Sequence, residues 1–192
     1  EDGSGSVLIL SSTSQGVISG FYVFTADYTL YKFFTTGFNT WYLSEIVSGF
    51  EQTNPISITI ERDATYKEHI NRIIDDSGNY LYFQYNLSNY LSKVTLYLLV
   101  GFDGYFDPIY NELQKVEYEY TWISATSKYA LASVSYCSDY LNDGWPQTSD
   151  QIVQYGYDAS GKMNNAEGSD QNELSSINTA FGKMDEITIR FN

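Results

Sequence analysis

Asn79 to Tyr105 reads NYLYFQYNLSNYLSKVTLYLLVGFDGY. Two runs in it are dense in Tyr, Leu, Phe and Val. Leu81, Phe83, Tyr85 and Leu87 fall on one side of an extended chain, and Val94, Leu96, Leu98 and Val100 do the same in the second run. Tyr82, Tyr97 and Leu99 make the opposite sides partly apolar. Strands apolar on both faces are covered on both faces, so this pair is expected at the centre of a sheet. The link from Ser88 to Lys93 is polar and short enough for a hairpin. The core is expected around Phe83, Tyr85, Leu96 and Leu98, with Ile58.

Outward from this pair the pattern repeats. Phe21–Phe24 and Tyr28–Phe34 read as a hairpin, and Trp41–Val47 as a further strand. Ile56, Ile58 and Ile60 alternate with Ser57, Thr59 and Glu61. Val116, Tyr118, Tyr120 and Trp122 alternate with Lys115, Glu117, Glu119 and Thr121. Tyr129–Tyr136 and Ile152–Tyr157 are strand candidates, and Ile187, Ile189 and Phe191 alternate to the last residue. One stretch has a helical period. Thr65 and Glu68 have capping-box spacing, Tyr66, Ile70, Ile73 and Ile74 line one face, and Ser77-Gly78 closes it. Shorter helical pieces are expected from Pro108 to Leu113 and within 170–178. The expected class is therefore all-β, a β-sandwich or jelly-roll-like domain of about ten strands, with one covering helix near 65–76. Residues 1–16 read as an N-terminal extension and 17–192 as a single β domain.

Composition narrows the function. The charged fraction is 18%, against roughly 25% in ordinary soluble domains, and Lys and Arg number only ten. Nineteen Tyr, eleven Phe and three Trp make a surface built from aromatics, hydroxyls and amides. A net charge of −14 argues against nucleic acid and anionic membranes, which need basic patches. No apolar run approaches the roughly 20 residues of a membrane-spanning helix. Cys137 is the only cysteine, so no internal disulfide forms. The chain opens on Glu1-Asp2-Gly3 without Met, which reads as a processed start. Together these features point to an exported, extracellular or cell-surface protein.

Few residues suggest catalysis. His69 is the only histidine, and no G-x-S-x-G elbow is present to give it a serine partner. Glu117 and Glu119 lie about 7 Å apart on one strand face, a spacing a glycosidase could use but any solvated strand provides. Asp103–Asp107 and Asp139–Gly144 are acidic loops that could offer oxygen ligands to calcium, though neither matches an EF-hand. No other cofactor is expected, and the protein reads as a non-enzyme. A loop holding Trp145 and Pro146, with Tyr140, Asp143 and Tyr136, is the candidate sugar-stacking patch. Val7, Leu8, Ile9 and Leu10 form a fully apolar strand at a terminus, where a strand is most easily lent to a neighbour. The leading expectation is a structural subunit of a surface filament or similar homo-polymer, joined by terminal strand pairing. The alternative is a carbohydrate-binding or adhesive module.

Overall fold

The computed structural model describes residues 5–14, 17–35, 40–138 and 151–168. Twelve strands follow in chain order: β1 (Val7–Ser14), β2 (Val17–Phe24), β3 (Thr29–Thr35), β4 (Trp41–Ser48), β5 (Ile56–Arg62), β6 (Ile70–Asp75), β7 (Tyr80–Tyr85), β8 (Leu91–Phe102), β9 (Pro108–Ile123), β10 (Lys128–Ser138), β11 (Gln151–Tyr157) and β12 (Met163–Gly168). They form one sheet in which every strand neighbours the next in sequence. The protein is all-β, as its alternation dictates, and the 79–105 stretch supplies β7 and β8, neighbours inside the sheet and not at an edge.

Three expectations need correcting. Residues 65–76 hold no helix. Asp63–His69 is a connection and Ile70–Asp75 is β6. Ile73 lies opposite Ile60 and Leu81, while Ile74 lies opposite Thr59 and Tyr80. The two isoleucines therefore serve opposite faces of a strand, and a two-sided strand mimics helical spacing. Thr65 is no capping residue, because its backbone N–H donates to Asp63 Oδ1 at 2.7 Å. Pro108–Leu113 is likewise the start of β9 and not a helical turn. The jelly-roll connectivity is replaced by next-neighbour pairing among the described residues. The expected short helix within 170–178 and the strand at 187–191 lie outside the described residues.

The chain divides into two compact units, one of Glu1–Phe83 and Leu96–Asn111, the other of Gln84–Thr95 and Glu112–Asn192. In the first unit the registers separate the side chains onto two faces. One cross-strand row runs Ile9, Tyr22, Lys32, Glu45, Thr59, Ile74, Tyr80. Its charges are paired across strands: Lys32 Nζ meets Glu45 Oε2 at 2.7 Å, and on the same face Arg72 Nη2 meets Glu61 Oε2 at 2.7 Å. Such half-exposed pairs contribute about 0–1 kcal/mol each and mainly fix register. The other face carries no part of these two ion pairs, while the buried pair Leu30 and Val47 shares the face of Lys32 and Glu45. One row of that other face runs Leu8, Val23, Tyr31, Ile46, Ile58, Asp75, and another Phe21, Phe33, Leu43. Phe21 stacks on Phe33 at 4.6 Å and meets Trp41 edge-on at 5.0 Å. A single extra residue, Ser44, bulges β4 here and donates its hydroxyl to the Lys32 carbonyl.

In the second unit β9 and β10 separate in the same way. Val116, Tyr118 and Tyr120 face Tyr136, Val134 and Leu131. Glu117, Glu119 and Lys115 face Ser135, Ser133 and Cys137.

The expected core is not where the apolar density is greatest. Phe83, Tyr85, Leu96 and Leu98 are half-buried and Ile58 is exposed. Among the described residues the buried hydrophobic ones are Leu30, Val47 and Cys137. Leu30 and Val47 are cross-strand partners. The reason is architectural, since a strand buried on both faces needs a layer over each, and among the described residues no helix supplies one. Thr95 is fully buried, and its Oγ1 has no hydrogen-bond partner among the described residues. An unpaired buried hydroxyl costs roughly 1–3 kcal/mol. Thr95→Val, which keeps the shape and removes the hydroxyl, should therefore raise stability by about 1 kcal/mol. A raised urea midpoint with an unchanged slope would show it, and a lowered midpoint would mean the hydroxyl is paired.

Candidate functional site

β1 lies at one end of the strand order and hydrogen-bonds to β2, from Val7 opposite Phe24 to Ser14 opposite Val17. No second neighbour is paired to it among the described residues. Val7 is 42% exposed, Leu8 62% and Ile9 50%. Alternation sends Val7 and Ile9 to one face and Leu8 to the other, so both faces of this strand meet solvent. Leu10 keeps its place opposite Phe21, and its side chain lies outside the described part. The four residues singled out from the sequence are thus brought together on one edge strand.

The sugar-stacking loop is a different matter. Trp145, Tyr140 and Asp143 lie outside the described residues. Tyr136 is in β10 opposite Val116 and half-buried.

The remaining candidates have local partners. Ser133 Oγ donates to Glu119 Oε2 at 3.0 Å, and Glu117 Oε1 lies 3.4 Å from Lys115 Nζ and 3.8 Å from Lys93 Nζ. His69 sits in the connection before β6, its ring 5.4 Å from Tyr66 and its backbone N–H donating to the Tyr66 carbonyl. The backbone N–H groups of Tyr66 and Thr65 hold the Asp63 carboxyl below its ordinary range. Among the described residues no three acids, histidines or cysteines converge in a metal-holding group.

One turn recurs through both units. Asp75, Asn86, Asp103 and Asp158 each open it. In each, the side-chain Oδ1 accepts from the backbone N–H groups two and four residues on. The carbonyl accepts from the third residue on, and the opening residue's own N–H donates to the fourth carbonyl. The third residue has positive φ in every case: Gly78, Asn89, Phe106 and Gly161. Thr25 repeats the backbone plan, with Tyr28 at φ 59°. This is a three-residue hairpin loop closed by a left-handed residue, and the Asx side chain stiffens it. At Asp158 the Ser160 hydroxyl adds a further bond and, with the Lys162 amide, holds the carboxyl below its ordinary value. The Asp103 carboxylate, read above as a possible calcium ligand, is engaged by its own loop.

The second unit also gathers aromatic rings beside the Asn86 turn. Tyr90 stacks on Tyr120 at 5.0 Å and approaches Tyr129 at 5.7 Å, and Tyr129 meets Trp122 at 5.1 Å. Tyr120 Oη donates to the Leu91 carbonyl at 2.8 Å, and burial pushes its phenol above the ordinary value. The alternation of Tyr118, Tyr120 and Trp122 was legible as a strand, but the contact with Tyr90 depends on the fold.

No protein-family model matches the chain, and no curated protein matches it. Among solved structures, a porin-like protein from Bacteroides uniformis is similar, with a TM-score of 0.30 and 16% identity over 79% of this chain and 51% of that one. The chain spans about half the length of that protein. The all-β assignment rests on the strand pairing above and not on this likeness.

Proposed function

We propose that this chain is a non-catalytic structural subunit, exported to the cell surface, that joins a filament or comparable assembly by strand pairing through β1. The observation that carries the reading is the outer edge of β1, unpaired among the described residues, with Val7, Leu8 and Ile9 exposed on its two faces. An edge strand presents a row of backbone donors and acceptors that need partners. Natural edges are commonly blunted by Lys, Pro or charge, and Val7–Ser14 contains none of these. Strand addition supplies the backbone bonds, and pockets for alternate side chains supply specificity. The acidic surface assists, since like-charged faces repel and confine association to the edge. The two-layer sandwich belongs to the same proposal: the face bearing Leu8, Phe21 and Phe33 gains cover from a second sheet layer.

Light scattering of the purified chain tests the reading. Charge screening acts beyond about 8 Å at physiological salt, while a hydrogen-bonded strand contact is short-ranged. A multimeric mass is expected from low to high salt. A compact monomer at every salt concentration would end the proposal.

A further inference from the structure

We infer that the ring cluster of Tyr90, Trp122 and Tyr129, floored by Tyr120, is a platform for a neutral carbohydrate. Trp122 is 52% exposed, Tyr129 44% and Tyr90 37%. Trp122 and Tyr129 are direct cross-strand partners on β9 and β10, and Tyr90 reaches the same cluster from the turn ahead of β8. Three adjacent segments therefore present ring faces and edges together. The floor ring is fixed, because the Tyr120 hydroxyl is tied to the Leu91 carbonyl.

Charge selects the ligand. The protein carries twenty-four acids and a net charge of −14, and four of its other connections contain Asp63, Asp75, Asp103 or Asp158. The two segments that carry the rings contain none, and the Asp158 turn, with Asp158 and Lys162, meets the second of them at Ile123 and Thr126. Residues 86–92 read NLSNYLS and residues 120–127 read YTWISATS, with no charged side chain in either. Glu119 and Lys128 border them, but each pairs on the face opposite Trp122: Glu119 faces Ser133 and Lys128 faces Ile123. The rim is thus Ser88, Asn89, Ser124, Thr126 and Ser127, all exposed hydroxyls and amides. A pyranose ring has an apolar face of C–H groups and a periphery of hydroxyls. Aromatic faces match the first and an uncharged hydrogen-bonding rim matches the second. The ring-bearing segments themselves offer a nucleotide or acidic glycan no cation to offset repulsion by the rest of the chain.

The test is titration with neutral oligosaccharides drawn from a glycan array, followed by binding calorimetry. The intact chain should retain at least one neutral glycan and no sulfated or sialylated one. Trp122→Ala should weaken that binding about tenfold or more, and Trp122→Phe, which keeps a ring, should weaken it less. Tyr90→Ala lies in a turn outside the strands and should weaken binding while lowering the urea midpoint only by what its ring contacts contribute, which covers the case that Trp122→Ala fails to fold. Absence of any neutral glycan on the array would overturn the inference. So would full binding by the Tyr90→Ala or Trp122→Phe/Tyr129→Ala chains, or a preference for anionic glycans or proline-rich peptides. β1 takes no part in the platform, so this result stands or falls independently of assembly.

Discussion

Replacing Leu8 and Ile9 together by Lys should, on the proposed β1 pairing, leave a folded monomer. Both side chains are at least half exposed within the chain, so the substitution removes little that the subunit itself uses. Surface changes of this kind normally alter stability by no more than about 0.5 kcal/mol. In the assembly the same two side chains would be covered. An aliphatic side chain fully buried contributes roughly 1.5–3 kcal/mol, and two of them lost amount to on the order of a hundredfold or more in association. Two ammonium groups on opposite faces of an edge strand also block further strand addition. Light scattering should report a monomer mass with an unchanged far-ultraviolet circular dichroism spectrum. A double variant that still multimerises would place the contact elsewhere.

Gly161→Val should be the most damaging single change to the fold, lowering stability by about 3 kcal/mol. Gly161 is the left-handed residue of the Asp158 turn, with φ at 81°. A β-branched residue there is strained by roughly 1–2 kcal/mol. A Cβ would also stand 2.6 Å from Thr126 Cγ2 and 2.9 Å from Ile123 Cγ2. Overpacking of that kind costs about 1–3 kcal/mol more. The two penalties together are a sizeable share of the roughly 5–15 kcal/mol that holds a domain folded. Adding Thr126→Ser, which removes the colliding methyl, should return about 1 kcal/mol, because the two positions touch and are not additive. Urea midpoints of the single and double variants give both numbers. A Gly161→Val chain within about 0.5 kcal/mol of the parent would mean the two turns do not meet as described.

Strand identity was legible wherever a single face was apolar. Ile56–Ile60 and Val116–Trp122 alternate cleanly, and both stretches are strands. β6 was not legible, because Ile73 and Ile74 supply opposite faces and the eye completes a helix with Ile70 and Tyr66. Ser77-Gly78 then looked like a helix end, when Gly78 is the left-handed residue of a hairpin turn. The Asp-x-x-Gly pattern at 75–78 and 158–161 carries that turn in the sequence. At 86–89 and 103–106 the left-handed residues are Asn89 and Phe106, so no glycine marks them. Burial was the least legible property. Apolar density in β7 and β8 reported side-chain chemistry, while burial depends on what lies over the sheet. The β1 edge was visible as Val-Leu-Ile-Leu, but only the pairing shows that β2 satisfies one side of it. The ring cluster needed the 86–90 turn to bring Tyr90 beside residues some thirty positions on, which no local pattern encodes.

Amide hydrogen exchange across a dilution series tests the β1 contact most directly. Exchange reports opening of individual backbone bonds, so it separates the edge strand from the strands inside the sheet. Amides of β1 should become more protected as protein concentration rises, while those of β3 and β4 keep the same rates throughout. Protection of β1 that does not change with concentration would contradict the account, because the strand would then be satisfied within its own chain or satisfied by nothing.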